Sequence, residues 1–301
     1  MDKGLILQSL EKIVRNESGS SRPTGVMNLD QLGFLDTSYL RTFAKHPRLY
    51  MESLSLLARS SIDLAYYYAS SAVMAQFCES VGGRSISLTN ILDAHSEYMS
   101  HVEFVPNYLG IEAPLFIKKA GPAFIIYELP AGELLEARGQ SLLALNSLNF
   151  KTLSKTVGRV VGELNVTDYQ RVRTFVELSF VGLFLGLMQG SYMSVESYVE
   201  QRTQGGRVIK DWPVVADQLR FLKSSVTSME AGAYALKLEE PDRIAGMLAT
   251  SSRLALELVS KAMDLMGGYG YMKDYPIEKF FRSVHVLSAL GVSYEIQSSR
   301  K

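Results

Sequence analysis

Apolar residues recur at helical spacing near the start of the chain, at Leu5, Ile6, Leu10, Ile13 and Val14, and predict an amphipathic helix. Asn16 to Pro23 (NESGSSRP) has no such period and reads as a loop. Leu29 to Phe34 predicts a short helix ending near Gly33. Pro47 opens a longer one, in which Leu54, Leu57, Ile62, Leu64, Ala65, Val73 and Phe77 fill most of the circumference. A deeply buried helix is therefore predicted from Pro47 to about Ser80. After Val81-Gly82-Gly83 the period changes. Leu115 to Lys118, Phe124 to Leu129 and Leu142 to Leu148 predict strands, separated by Gly121-Pro122 and Pro130-Ala131-Gly132.

The helical period returns from about Thr167 to Arg202, a length on the order of 50 Å at ~1.5 Å per residue. Phe175, Leu178, Val181, Leu185, Met188, Tyr192, Val195 and Tyr198 form its apolar stripe. Gly182, Gly186 and Gly190 stand four residues apart and permit close approach of a second helix, for which plain packing is the simplest reading. Gly205-Gly206 stops this helix. Asp211 is expected to cap the next, with Pro213 in its first turn and an end near Glu239. Pro241-Asp242 starts another, which ends at Gly267. A last helix follows Pro276, and together these predict a four-helix bundle.

Composition narrows the classes. The chain has 301 residues, 47% of them hydrophobic, with 31 basic and 31 acidic side chains. It is long enough for a substantial core. Zero net charge argues against a broad nucleic-acid or anionic-membrane surface. Cys78 is the only cysteine, so no intrachain disulfide forms, in keeping with a reducing cytosol. No secretory signal is visible at the N-terminus, and apolar runs such as Phe180 to Met188 are too short to span a bilayer. A cytoplasmic location without a membrane span is expected. His46, His95, His101 and His285 show no metal-ligand spacing, and no phosphate-binding P-loop or serine nucleophile elbow is present.

Two stretches carry candidate chemistry. Gln201-Arg202-Thr203-Gln204-Gly205-Gly206-Arg207 leaves the long helix with a cation beside a glycine turn, a combination that suits a pyrophosphate. A solvated helix end whose basic residues complement the dipole has the same composition. Lys261 to Gln297 holds Gly267-Gly268, then Tyr269-Gly270-Tyr271, then Asp274-Tyr275-Pro276. On glycine and proline alone it is a helix–turn–helix corner.

The whole string is more specific. Gly267, Gly268, Gly270, Tyr271, Tyr275, Pro276, Glu278, Arg282, Ile296 and Gln297 resemble the C-terminal flavin-binding segment of acyl-CoA dehydrogenases. Arg202 to Gly206 resembles the family's RxQFG or RxQGG motif, preceded by Gly-Leu-Met-Gln at 186–189. The resemblance implies an acyl-CoA dehydrogenase-like fold, mainly α with a small β-domain and a C-terminal four-helix bundle. The expected divisions are a shortened helical part over 1–83, a reduced β-domain over 84–156 and the bundle over 157–301. It also implies FAD as cofactor, an acyl-CoA thioester as substrate, and α,β-dehydrogenation as the reaction. Assembly is expected as a homo-oligomer or with a related dehydrogenase chain, and no nucleic acid is involved. By the same resemblance Arg202, Gln204, Gly206, Gly267, Gly268 and Ser293 would touch FAD, with the motif at 202–206 and the Gly267-Gly268 pair meeting that of a neighbouring subunit.

The implied reaction needs a carboxylate base in a dry pocket. Counting from Arg282, the position where most members carry it falls on Leu290 or Gly291, so the usual catalytic glutamate is missing. Asp264 stands where the family has a glutamine before the glycines, Ser283 replaces an aspartate, and Ser293 replaces a threonine. Some members carry the base on the long helix instead. There the ungapped position is Val176 and its neighbour is Glu177, which becomes the candidate catalytic residue; a helix-surface or interface glutamate is the alternative reading. Glu295 is a second, weaker option. A catalytically silent homologue that serves as partner subunit of a heteromeric dehydrogenase is the competing function.

Overall fold

The computed structural model describes residues 3–17, 23–78, 84–86, 88, 91, 102–106, 113–128, 134–136, 148–153 and 158–298, with side chains set aside at 16–17, 23–26, 84–85, 102–106, 113–114, 134–136, 148–153 and 291–298. Five helices come first: α1 (Lys3–Glu17), α2 (Pro23–Gln31), α3 (Thr37–Arg41), α4 (Pro47–Ala58) and α5 (Ile62–Met74). The single helix expected from Pro47 to Ser80 is thus two. The break has a local cause. Ser61 is extended (φ −144°) and its hydroxyl accepts from the Leu64 N–H at 3.3 Å, which starts a new helix, with Asp63 in its first turn. The C-terminal end of α5 is held by Arg41, which donates to the carbonyls of Ala75 and Cys78, each at 2.7 Å.

Strands follow: β1 (Arg84–Ile86), β2 (Val102–Pro106), β3 (Ala113–Ala120), β4 (Ala123–Glu128), β5 (Leu134–Glu136), β6 (Leu148–Leu153) and β7 (Arg159–Asn165). Four make one sheet in the order β1-β3-β4-β7, parallel only at β1–β3, and β2-β6-β5 make a second. β3 and β4 were expected. Most of the strand expected at 142–148 lies outside the described residues. β7 extends the β region past 156, because Arg159, Val160 and Gly162 to Asn165 pair with β4 beyond the point where the apolar alternation fades, Val161 falling at a bulge. Ser70 donates to Ile86 O at 2.5 Å and Leu88 N–H donates to the Tyr66 hydroxyl at 3.2 Å, tying this sheet to α5.

The centre is α6 (Val166–Gln201), capped by Asn165, whose side-chain oxygen accepts from the Asp168 N–H at 2.9 Å. Tyr169 in its first turns stacks on Phe124 of β4 with ring centroids 3.6 Å apart, and donates its hydroxyl to Ile91 O at 2.6 Å. The helix is long and apolar enough to cross a membrane, which the short apolar runs had not suggested. Yet 83% of its most apolar window is buried inside the fold, the mark of a core helix. On one side it meets α4: Phe175 stacks on Tyr50, whose hydroxyl lies 2.6 Å from Ser179 Oγ. Gly186 lets the helices touch, since a Cβ there would lie 2.5 Å from both Ala58 Cβ and Ser55 O.

The bundle is completed by α7 (Pro213–Tyr234), α8 (Pro241–Met266) and α9 (Pro276–Ser298). Gln189 donates to Glu230 at 2.5 Å between α6 and α7, and Ser252 donates to Ser288 at 3.2 Å between α8 and α9. Asp211 does not cap α7. It sits in a 3-10 turn, Ile209–Asp211, and Trp212 takes the cap position because Pro213 is already the first helical residue. α7 also ends at Tyr234, before the expected Glu239. Cys78 is buried and unbridged.

Candidate functional site

α6 ends at Gln201, and Arg202 is its C-cap, with its N–H on Tyr198 O at 3.0 Å. The chain then turns back on itself in a two-residue hairpin. Strands Thr203–Gln204 and Arg207–Val208 pair with Gln204 opposite Arg207. Gly205 (φ +58°) and Gly206 (φ +79°) form its loop. Two successive positive φ values are the signature of the primed turn that matches strand twist, and glycine takes them at no steric cost. Ile209 N–H donates to Arg202 O at 2.9 Å and pins the hairpin to the helix end. Gln204 and Gly206 are exposed.

At the end of α8, Gly267 adopts φ +58°, ψ −137°, a conformation reserved for glycine, and its N–H caps Asp264 O. A 3-10 turn, Gly267–Tyr271, leads on towards Tyr275 and α9. Gly267 and Gly268 are exposed, with nothing within 4 Å of the place a Cβ would occupy. Their backbone is open to a large ligand.

The fold brings the two stretches together. The Arg202 guanidinium lies over the Tyr269 ring, 5.1 Å from its centroid. Tyr269 is in turn braced by Tyr275 at 5.6 Å and Tyr198 at 6.0 Å between ring centroids. Burial raises the Tyr198 hydroxyl above its ordinary value, and the positive charge of Arg202 works the other way. Arg207 makes a similar contact with Trp212, 5.3 Å from the ring centroid. In sequence, Tyr198, Tyr269 and Tyr275 stood out as stripe and motif residues and not as partners of Arg202, and Trp212 did not stand out. Tyr198, one turn before Arg202 on a helix, was the available signal, whereas Tyr269 meets Arg202, and Tyr275 meets Tyr269 and Tyr198, only through the tertiary fold.

An FAD diphosphate sets the demands that this arrangement has to meet. The Arg202 guanidinium and the open Gly267–Gly268 backbone share one exposed surface through the contact of Arg202 with Tyr269, and two phosphates need such donors. Asp264 at the neighbouring helix end is exposed and acidic, which counts against an anion there. The balance of donors fits the group.

Glu177 occupies a different environment. It is not on the helix surface: its side chain is 4% exposed, and its Oε1 lies 3.3 Å from Arg173 Nε one turn earlier. Val176 and Leu290, at two of the other positions considered for a base, are buried and apolar. Arg282 pairs with Glu278 on its own helix through two contacts, Nε to Oε1 at 2.8 Å and Nη2 to Oε2 at 2.9 Å. The side chains of Ser293 and Glu295 lie outside the described residues. Among the described residues no group of histidine, cysteine and carboxylate side chains could hold a metal ion.

Known proteins fit this architecture. Residues 178–300 match the acyl-CoA dehydrogenase C-terminal domain family. A 3-(aryl)acrylate reductase of Clostridium sporogenes is 27% identical over 46% of this chain and 39% of its own length. The short/branched chain specific acyl-CoA dehydrogenase of rat (Rattus norvegicus) mitochondria is 33% identical over 37% of this chain and 26% of its own. The matched stretch is therefore well under half of either relative. One chain of the ChsE4-ChsE5 complex from Mycobacterium tuberculosis superposes with a TM-score of 0.70 at 16% identity, covering 100% of this chain and 97% of that one. The fold is thus acyl-CoA dehydrogenase-like, and its C-terminal part, residues 178–300, carries the sequence match to that family's C-terminal domain.

Proposed function

We propose that the chain is an acyl-CoA dehydrogenase-like flavoprotein that carries out FAD-dependent α,β-dehydrogenation of an acyl-CoA thioester. The observation that carries this reading is the meeting of Arg202 with the Gly267–Tyr271 turn on an open surface. Arg202 and Gln204 would donate to the diphosphate, and the Gly267–Gly268 backbone would lie against the same half of the molecule. FAD, when bound, supplies the acceptor for the hydride that leaves the β-carbon.

The chain must also take the α-proton. Glu177 is the candidate base, a buried carboxylate on the core helix, where low polarity strengthens its interactions. Arg173 fixes its position from one turn away. The test is anaerobic mixing of FAD-loaded protein with a panel of acyl-CoA thioesters. Bleaching of the flavin band in the wild type, lost in Glu177→Gln with FAD still bound, supports the assignment. Bleaching that survives Glu177→Gln removes Glu177 from the mechanism.

A second reading has its own support. Val176 and Leu290 are apolar at positions where the resemblance would place a base, and a chain from a two-protein complex matches almost end to end. In that reading the chain is a catalytically silent partner that lends Arg202 and its hairpin to a related dehydrogenase chain. Absence of bleaching by the isolated protein, together with bleaching once a homologous chain is added, would favour it over the first.

A further inference from the structure

Resting on the flavoprotein reading, we infer that Tyr269 is a positioning residue, which holds the Arg202 guanidinium ready for a diphosphate. Arg202 is exposed and stands at the end of a 36-residue helix, where four backbone carbonyls lack helical partners. A free arginine there would fold back toward those carbonyls, attracted by the negative end of the helix, or sample solvent. Instead its charge rests over the Tyr269 ring, 5.1 Å from the centroid. The negative face of an aromatic ring attracts a cation without using up its N–H donors, so the fork stays free for phosphate oxygens.

The platform is itself fixed. Tyr275 meets Tyr269 edge-on at an interplanar angle of 69°, and Tyr198 meets Tyr275 at 90°. The three rings come from α6, the glycine turn and the start of α9. Tyr269 directly follows Gly267–Gly268 in the chain, so whatever lies along that open backbone is beside the ring that carries the guanidinium. Pre-ordering a long, flexible side chain lowers the entropy lost when it engages its ligand. A solvated helix end would need neither the ring cluster nor the open glycine strip.

The experiment is a double-mutant cycle read by ligand affinity. FAD uptake is followed by flavin absorbance. Binding of ADP, the adenine half with its diphosphate, is followed by the emission of Trp212, the only tryptophan, which lies beside the hairpin with its ring 3.6 Å from where a Gly205 Cβ would sit. Tyr269→Leu is expected to weaken binding roughly 3- to 10-fold, and Tyr269→Phe, which keeps the ring, to stay within about 2-fold of wild type. Arg202→Gln is expected to weaken it roughly 10-fold or more. On that background Tyr269→Leu should change little, because there is no cation left to position.

Equal losses from Tyr269→Leu with and without Arg202, or no rescue by phenylalanine, would overturn the inference. ADP binding with this coupling but no FAD uptake would uphold the positioning role while removing the flavoprotein reading. Failure to bind either ligand at millimolar concentration would overturn both.

Discussion

The contact between α4 and α6 gives the sharpest stability prediction, because one substitution made at two sites should have opposite signs. At Gly186 an added Cβ would lie 2.5 Å from Ala58 Cβ, 2.5 Å from Ser55 O and 3.0 Å from Ser55 Cα. Ordinary carbon contacts are about 3.5–4.0 Å. The obstructing atoms are backbone and a Cβ, so no side chain can swing away, and the helices must separate by on the order of 1 Å. Overpacking of this kind costs about 1–3 kcal/mol; with nothing to yield, the upper end applies. Against it stands a gain of about 1 kcal/mol from replacing glycine inside a helix. Gly186→Ala should therefore lose about 2 kcal/mol. Gly246, exposed within α8, has nothing within 4 Å of its Cβ position, and Gly246→Ala should gain about 0.5–1 kcal/mol from propensity alone. Urea unfolding of both variants, followed by far-ultraviolet circular dichroism, reads the two midpoints. If Gly186→Ala is as stable as the wild type, the close approach of α4 and α6 is wrong, and with it the mounting of the N-terminal helices on the bundle.

Further outcomes follow from the same geometry. Glu177→Leu alone should cost about 2–4 kcal/mol by removing the carboxylate that the mostly buried Arg173 faces at 3.3 Å, whereas Arg173→Met with Glu177→Leu should return to within about 1 kcal/mol of wild type in urea unfolding. Asn165→Ala removes the cap of α6 and should cost about 1 kcal/mol in the same assay. Burial pushes the hydroxyls of Tyr50 and Tyr68 well above their ordinary value. Below pH 10 both are neutral whether folded or unfolded, and their contribution is complete. As pH rises further the unfolded chain loses protons that the native state keeps, so stability should fall by up to ~1.4 kcal/mol per pH unit for each. Tyr50→Phe should make that alkaline slope shallower, at a cost of about 1 kcal/mol near neutral pH for the lost bond to Ser179.

The elements with strong period or clear punctuation were legible in the sequence. α6 and α8 are bounded within a residue or so by their apolar stripes and by Gly205 and Gly267. The hairpin of Gly205-Gly206 and the turn at Gly121 follow from the backbone freedom of glycine. The break between α4 and α5 was missed because apolar residues run through it; the signal was the polar pair Ser60-Ser61 before Ile62-Asp63, a cap hidden inside a hydrophobic run. The helix-surface half of the alternative reading of Glu177 does not hold, for a related reason. The middle of α6 is buried from Thr174 to Ser191, so no polar face is present there, and the carboxylate of that stretch is buried beside Arg173. The two glycine motifs were visible separately. Their junction through Arg202 and Tyr269 was not, since it joins residues 67 positions apart and no local pattern encodes it.

The central claim is that this surface receives FAD. The direct measurement is the absorbance spectrum of the purified protein before and after incubation with FAD and removal of the excess. Retained flavin bands, lost or weakened in Arg202→Gln, are the predicted result. A folded protein that holds no flavin in either case would contradict the account.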